Sequence, residues 1–206
     1  MNREHADPAS ITESRDLLKP EFKGKIATDE PSVRGTGGNM AAYLYLQLGE
    51  EFVAKLYGEQ TTSTRDYRQW SDWLARGAYP IALGPNPADI DILLKDGFPL
   101  HVIRSLSDVP GWTSGSFGIS AIIEGAPHPN AAKLFVNWIA SREGVEVLSR
   151  SERLPGTRKD VNYLEWVPDF TVPVPGVNYL DTYNWEFKAR QQTIAQEKVR
   201  EILSRR

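Results

Sequence analysis

Apolar residues recur every four positions at Leu44, Leu48, Phe52 and Leu56, with Ala41 and Val53 alongside. That spacing predicts an amphipathic helix from about Asn39 to Tyr57, stopped by Gly58. Tyr67, Trp70 and Leu74 repeat the pattern and predict a second helix near Asp66 to Arg76, capped by Ser63 or Thr64 and ended by Gly77. Ile90, Leu93 and Leu94 predict a third, with Asn86 as N-cap, Pro87 in the first turn and Gly97 at its close. Between them, short apolar runs at Gly24–Asp29, Tyr79–Gly84 and Leu100–Arg104 predict strands. Strand and helix in alternation predict an α/β fold with a largely parallel sheet.

The pattern changes beyond residue 104. Ser116–Ile123 predicts a strand, and Pro129–Ala140 a helix whose buried face is Ala131, Leu134, Phe135 and Trp138. Ser141 caps a further helix to about Arg150. Pro155, Pro168, Pro173 and Pro175 exclude a long helix over 154–180. The tail from Trp185 to Arg206 is predicted helical, with Ile194, Val199 and Ile202 on one side. Residues 1–23 are polar, carry Pro8 and Pro20, and read as a linker or a short entry segment.

Composition narrows the chemistry. The 206 residues include no cysteine, which excludes disulfides, thiolate zinc sites and cysteine nucleophiles. A net charge of -3 argues against a nucleic-acid binder, which needs a strongly basic face. No apolar run approaches the ~18 residues of a membrane span, and the N-terminus has no apolar core of a signal peptide. His5, His101 and His128 lie far apart, and no clustered ligand set predicts a metal. No GxSxG elbow and no paired acid–base set occurs, so no catalytic residue is assigned.

Four places are candidates for ligand contact. Arg34, Gly35, Thr36, Gly37 and Gly38 join a strand to a helix. Small residues there admit a ligand to the backbone, the helix N-terminus favours an anion, and Arg34 adds a charge. An ordinary glycine-rich turn explains the same residues. Arg65 and Tyr67 stand at the next helix start, either facing a cleft or decorating a capped helix. Asn86 follows a strand where open α/β sheets bind ligands, although capping alone accounts for it. Trp112 lies in a loop and is a candidate pocket wall.

The order of segments resembles an extracellular solute-binding protein of bacterial ABC transporters, nearest the ferric-iron-type branch with the type II periplasmic binding fold. The stretches that carry the likeness are Asp16–Ala27, Ser63–Arg68 with Trp73–Ile81, Gly125–Phe135 and Asn137–Gly144, and the similarity covers about residues 10–160. The resemblance implies a linker or inter-lobe crossing at 1–15, a second α/β lobe at 16–112, a return segment to the first lobe at 113–160, and an extended segment with a C-terminal helix at 161–206. Most of the first lobe has no counterpart here, since Met1 falls near the first inter-lobe crossing. The resemblance also implies a small solute closed between lobes and delivered to an ABC permease in the periplasm. Iron-binding members carry a tyrosine pair after the strand matching Ile81–Gly84. This chain has Pro85, Asn86, Pro87 and Ala88 there.

The resulting expectation is a binding protein without catalysis, cofactor or metal, taking a small anionic solute such as a sugar phosphate. The alternatives are a stand-alone interaction module that dimerises through exposed lobe faces, and iron(III) binding.

Overall fold

Ile26, Ala27 and Thr28 are wholly buried, as the middle strand of a parallel sheet must be. They form β1 (Ile26–Asp29), flanked by β2 (Thr61–Thr64) and β3 (Ile81–Leu83) in the order β2-β1-β3, all parallel. The register pairs Asp29 with Thr64 and Thr28 with Leu83, so the three strands end level with one another. The computed structural model describes residues 1–112, 120–182 and 184–205.

Helix α1 (Thr36–Lys55) connects β1 to β2, and α2 (Tyr67–Ala75) connects β2 to β3. The two crossovers run in opposite directions across the sheet, so their right-handed sense places the helices on opposite faces. α3 (Pro87–Lys95) packs on α2, and the C-terminal α6 (Gln192–Ser204) lies along α1. The expected stripe of α1 is buried at Ala41, Leu44, Phe52, Val53 and Leu56. Gly58 does not stop this helix, which continues as a π-helical turn through Leu56–Gln60. It breaks instead at Gly49, whose φ of 84° lies where other residues are strained.

Several expectations need correction. Residues 1–23 are not a free linker: three short 3₁₀ turns bury Ile11, Ser14, Asp16, Leu17 and Phe22. The buried Asn2 donates through Nδ2 to the carbonyls of Leu74 (3.1 Å) and Ala75 (2.9 Å), satisfying the end of α2. Leu100–Arg104 forms no strand, and only Leu100 makes an isolated bridge, to Asn2. Asp66, not Ser63 or Thr64, caps α2, accepting from the N–H groups of Arg68 and Gln69. Tyr67 departs from its expected stripe and is exposed, while Trp70 and Leu74 are buried. On α6, Val199 and Ile202 are buried with Ala195, and Ile194 is exposed. Of the strand expected at Ser116–Ile123, residues 116–119 lie outside the described residues, and 120–123 have no regular structure.

The chain divides into two compact units. Unit 1 comprises Met1–Gly111 and Val177–Arg206, and unit 2 comprises Trp112–Gly176. Unit 1 holds the sheet with α1, α2, α3 and α6. Unit 2 contains α4 (Pro129–Ile139) and α5 (Arg142–Glu152), packed on each other. Ser141 caps α5, its Oγ accepting from the N–H of Gly144. Short 3₁₀ turns at Tyr163–Glu165 and Asp169–Thr171 follow, with no long helix through the prolines. The face expected to be buried on α4 is not: Leu134, Phe135 and Trp138 are exposed, and no residue of the helix is buried.

Candidate functional site

The three strands of unit 1 deliver their last residues to one edge. Asp29 ends β1, Thr64 ends β2, and Gly84 and Pro85 follow β3. α1 and α2 begin at the same edge with Thr36 and Tyr67, and Asn86 opens α3. These residues and Trp70 line a narrow cleft of about 10 Å³, near the lower limit for holding one water. The carboxyl edge of an open parallel sheet is where α/β proteins bind ligands, because loop ends and helix N-termini converge there.

Asp29 organises the cleft. Its Oδ2 accepts from Thr36 Oγ1 (2.8 Å), the Gly37 N–H (3.2 Å) and, more weakly, the Tyr67 hydroxyl (3.4 Å). Its Oδ1 accepts from the Glu30 N–H at 2.8 Å. The N-terminus of α1 attracts negative charge, and the chain supplies that charge itself. Gly37 and Gly38 serve this packing. A Cβ on Gly37 would lie 2.3 Å from the carbonyl of Asp29, and one on Gly38 1.9 Å from that of Val33. The glycines therefore let the 29–33 turn close on the helix.

Glu30 stands beside Asp29. Its carboxylate accepts from the N–H and Oγ of Ser32 and from Ser63 Oγ, at 3.2, 2.7 and 3.2 Å. Burial pushes its carboxyl up, but these hydrogen bonds and the charge of Arg65 pull it down further, so it titrates below the ordinary glutamate value. The C-terminal helix braces this region. Gln192 and Gln196 both donate to Asn39 Oδ1 on the first turn of α1 (2.8 and 3.0 Å), and Arg200 donates to the Ser32 carbonyl.

The fold thus gathers Thr36, Tyr67 and Asn86 of the expected contacts, with Gly37 and Gly38 immediately behind them. Gly35 precedes α1 with a φ of 149°. Arg34 is exposed and makes no hydrogen bond or ion pair among the described residues. Arg65 is exposed and faces Glu30 electrostatically. Asn86 caps α3, its Oδ1 accepting from Ala88, which leaves its Nδ2 donors uncommitted. Trp112 is half-buried in unit 2. Asp29, Glu30 and Trp70 escaped the sequence reading as site residues. Asp29 had a usable signal: an acidic residue at the carboxyl end of a strand, directly before a glycine-rich helix start. Among the described residues, no three His, Cys, Asp or Glu side chains gather as a metal-holding group.

Comparison with known proteins agrees with this architecture. A family model described as bacterial extracellular solute-binding protein matches residues 2–151. An uncharacterized protein of Haemophilus influenzae is 30% identical over 138 residues, 65% of this chain and 38% of that protein. The periplasmic binding protein AfuA from Actinobacillus pleuropneumoniae, solved with fructose-6-phosphate, superposes with a TM-score of 0.62 at 19% identity, covering 93% of this chain and 58% of its own. The ferric binding protein from Campylobacter jejuni gives 0.63 at 16% identity, covering 98% of this chain and 64% of its own. The chain therefore spans about two-fifths of the curated relative and roughly three-fifths of these solved ones. The structural matches carry the fold, type II periplasmic binding. With the family model spanning most of its length, this chain belongs to the bacterial extracellular solute-binding protein family.

Proposed function

We propose that unit 1 forms one wall of a solute site, and that the solute is a small hydroxylated anion of the sugar-phosphate kind. The convergence of Asp29, Thr36, Thr64, Tyr67 and Asn86 at the carboxyl edge of the sheet carries this reading. Asp29 already fills the N-terminus of α1, so an incoming anion does not bind there against a fixed negative charge. The hydroxyl end of the solute meets the floor, and its anionic group meets the exposed Arg34 and Arg65 at the rim. A second wall, from the rest of a two-lobed protein, closes over it. The ligand stabilises the closed state by its difference in affinity for the two states. The work is binding and delivery to an ABC permease in the periplasm, without bond-making chemistry.

Calorimetry and a thermal-shift screen test the proposal. The panel holds fructose 6-phosphate, other sugar phosphates, inorganic phosphate, sulfate, thiamine phosphates, polyamines and ferric citrate. A ligand at 100 times its dissociation constant adds about 2.7 kcal/mol. Arg34→Ala is expected to weaken a phosphorylated solute at least tenfold, about 1.4 kcal/mol. Unchanged affinity removes Arg34 from the site. A response to ferric citrate alone favours iron instead.

A second reading rests on the bare face of α4. Leu134, Phe135 and Trp138 there are apolar and exposed, the kind of surface through which two copies pair. Light scattering separates the readings: a tight dimer without solute favours the interaction module, and a monomer that responds to one solute class favours transport.

A further inference from the structure

We infer that Trp70 supplies the floor contact of the cleft: its indole N–H donates to a single oxygen, a water in the free protein and a hydroxyl or carbonyl oxygen of the solute in the loaded one. This rests on the reading of the cleft as a solute site. Trp70 is 3% exposed, on the inner face of α2, and forms part of the cleft wall. Its Nε1 is buried and meets no protein acceptor. A buried donor left unmet costs more than an ordinary hydrogen bond gains, so a fold that keeps this N–H should supply it with an acceptor. Trp166 shows the usual outcome in the same chain, its Nε1 donating to Ser149 Oγ at 2.9 Å. Gln60 also buries an unpaired oxygen, but it does not border the cleft.

The space beside Trp70 fits the inference. A cleft of about 10 Å³ has room for one water-sized oxygen. Its rim offers that oxygen further polar neighbours in the Thr36 and Tyr67 hydroxyls and the Asn86 amide. A methyl or hydrogen in the same place leaves the indole N–H unmet. The floor therefore selects solutes that end in a small oxygen group and rejects their deoxy analogues, as sites built around a buried polar group do.

The test uses the whole chain with ¹⁵N-labelled tryptophan. Trp70→Phe assigns the Trp70 indole signal by its loss, and Trp73→Phe, on the same helix, is the control. In the free wild type, the Trp70 indole N–H is expected to show a cross-peak to a bound water. Absence of that contact overturns the inference, whether or not any solute is found. Titration with fructose 6-phosphate, then with the other sugar phosphates, is expected to shift the Trp70 signal. Trp70→Phe is expected to weaken whichever probe binds about tenfold, with Trp73→Phe unchanged. Equal affinity in Trp70→Phe and wild type also overturns it. If the wild type binds no member of the panel, the solute reading fails, and the water cross-peak alone decides the role of Trp70.

Discussion

Unit 1 and unit 2 carry similar sequence patterns and use them differently. In unit 1, α1, α2 and α6 each turn an apolar stripe inward, and Val53, Leu56, Leu74 and Val199 are almost wholly buried. In unit 2, α4 has as clear an apolar stripe, yet Leu134 is 72% and Phe135 58% exposed. The described residues of unit 2 add little to the buried apolar core: Pro155, Val161 and Val167. Polar and aromatic contacts hold the remainder: Ser149 Oγ donates to the Leu154 carbonyl, Arg150 stacks over Trp166, and Arg158 pairs with Asp160. Amphipathic spacing states which face of a helix seeks cover. It does not state that cover is present.

The largest expected effect tests this contrast directly. Leu74→Ala removes a side chain that is 1% exposed, and should cost about 2–5 kcal/mol. Leu134→Ala, by the same chemistry, should change stability by less than about 0.5 kcal/mol. Urea unfolding followed by tryptophan fluorescence measures both. Equal costs would mean that α4 is covered in solution and the contrast between the units is lost.

The same contrast explains what the sequence revealed. β1 and β3 of unit 1, its helices and their order were legible because each stripe found a partner within the chain, whereas β2 (Thr61–Thr64), a polar run of hydroxyl residues without an apolar pattern, was not. Leu100–Arg104 was misread because a short apolar run carries no record of whether a neighbouring strand edge is free to pair with it. For the site, the strand ends and helix starts pointed to Thr36, Tyr67 and Asn86. The role of Asp29 was hidden because its meaning lies in reaching back to the N-terminus of α1, across seven residues. Gly37 and Gly38 suggest a ligand's close approach, whereas their close neighbours are the chain's own carbonyls.

Gly38→Ala is the next most disruptive change. A Cβ 1.9 Å from the Val33 carbonyl must push the 31–34 turn away from α1. The expected cost is about 1–3 kcal/mol, read as a lower melting temperature. Gly97 offers a comparison: nothing lies within 4 Å of its Cβ position, so only its φ of +86° opposes a side chain. If Gly38→Ala melts with the wild type, the turn is not packed on the helix.

Acid should separate two carboxylates, one from each unit. Lys19, bonded to Asp16 at 2.8 Å, and the N–H groups of Glu13 and Thr12 hold the Asp16 carboxyl well below the ordinary range. Arg158 lowers Asp160 likewise. A depressed carboxyl contributes its stability above its unfolded pKa, about 4, and loses it as pH falls through the folded value. Asp16→Asn and Asp160→Asn should each flatten the fall in melting temperature below about pH 4. The Asp160 side chain is 53% exposed and that of Asp16 12%, so 0.5 M salt should erase the Asp160 effect first. The reverse order of salt sensitivity would contradict the burial difference.

The smallest expected change in stability has the most to say about unit 2. Replacing Leu134 and Phe135 together by serine removes apolar surface that touches water, so the urea midpoint should hardly move. The surface itself should respond. A hydrophobic dye is expected to bind the wild type through the bare face of α4 and to lose much of that signal in the double variant. Trp138, whose ring lies 5.9 Å from that of Phe135, reports locally through its fluorescence. If the wild type is a dimer and the variant a monomer, a second copy covers the face. If both are monomers and only dye binding changes, the face is open, and α4 displays in solution the stripe that its sequence meant for a partner. A clear loss of stability in the double variant would instead place both side chains in a packed interior, and the two units would differ less than their exposures state.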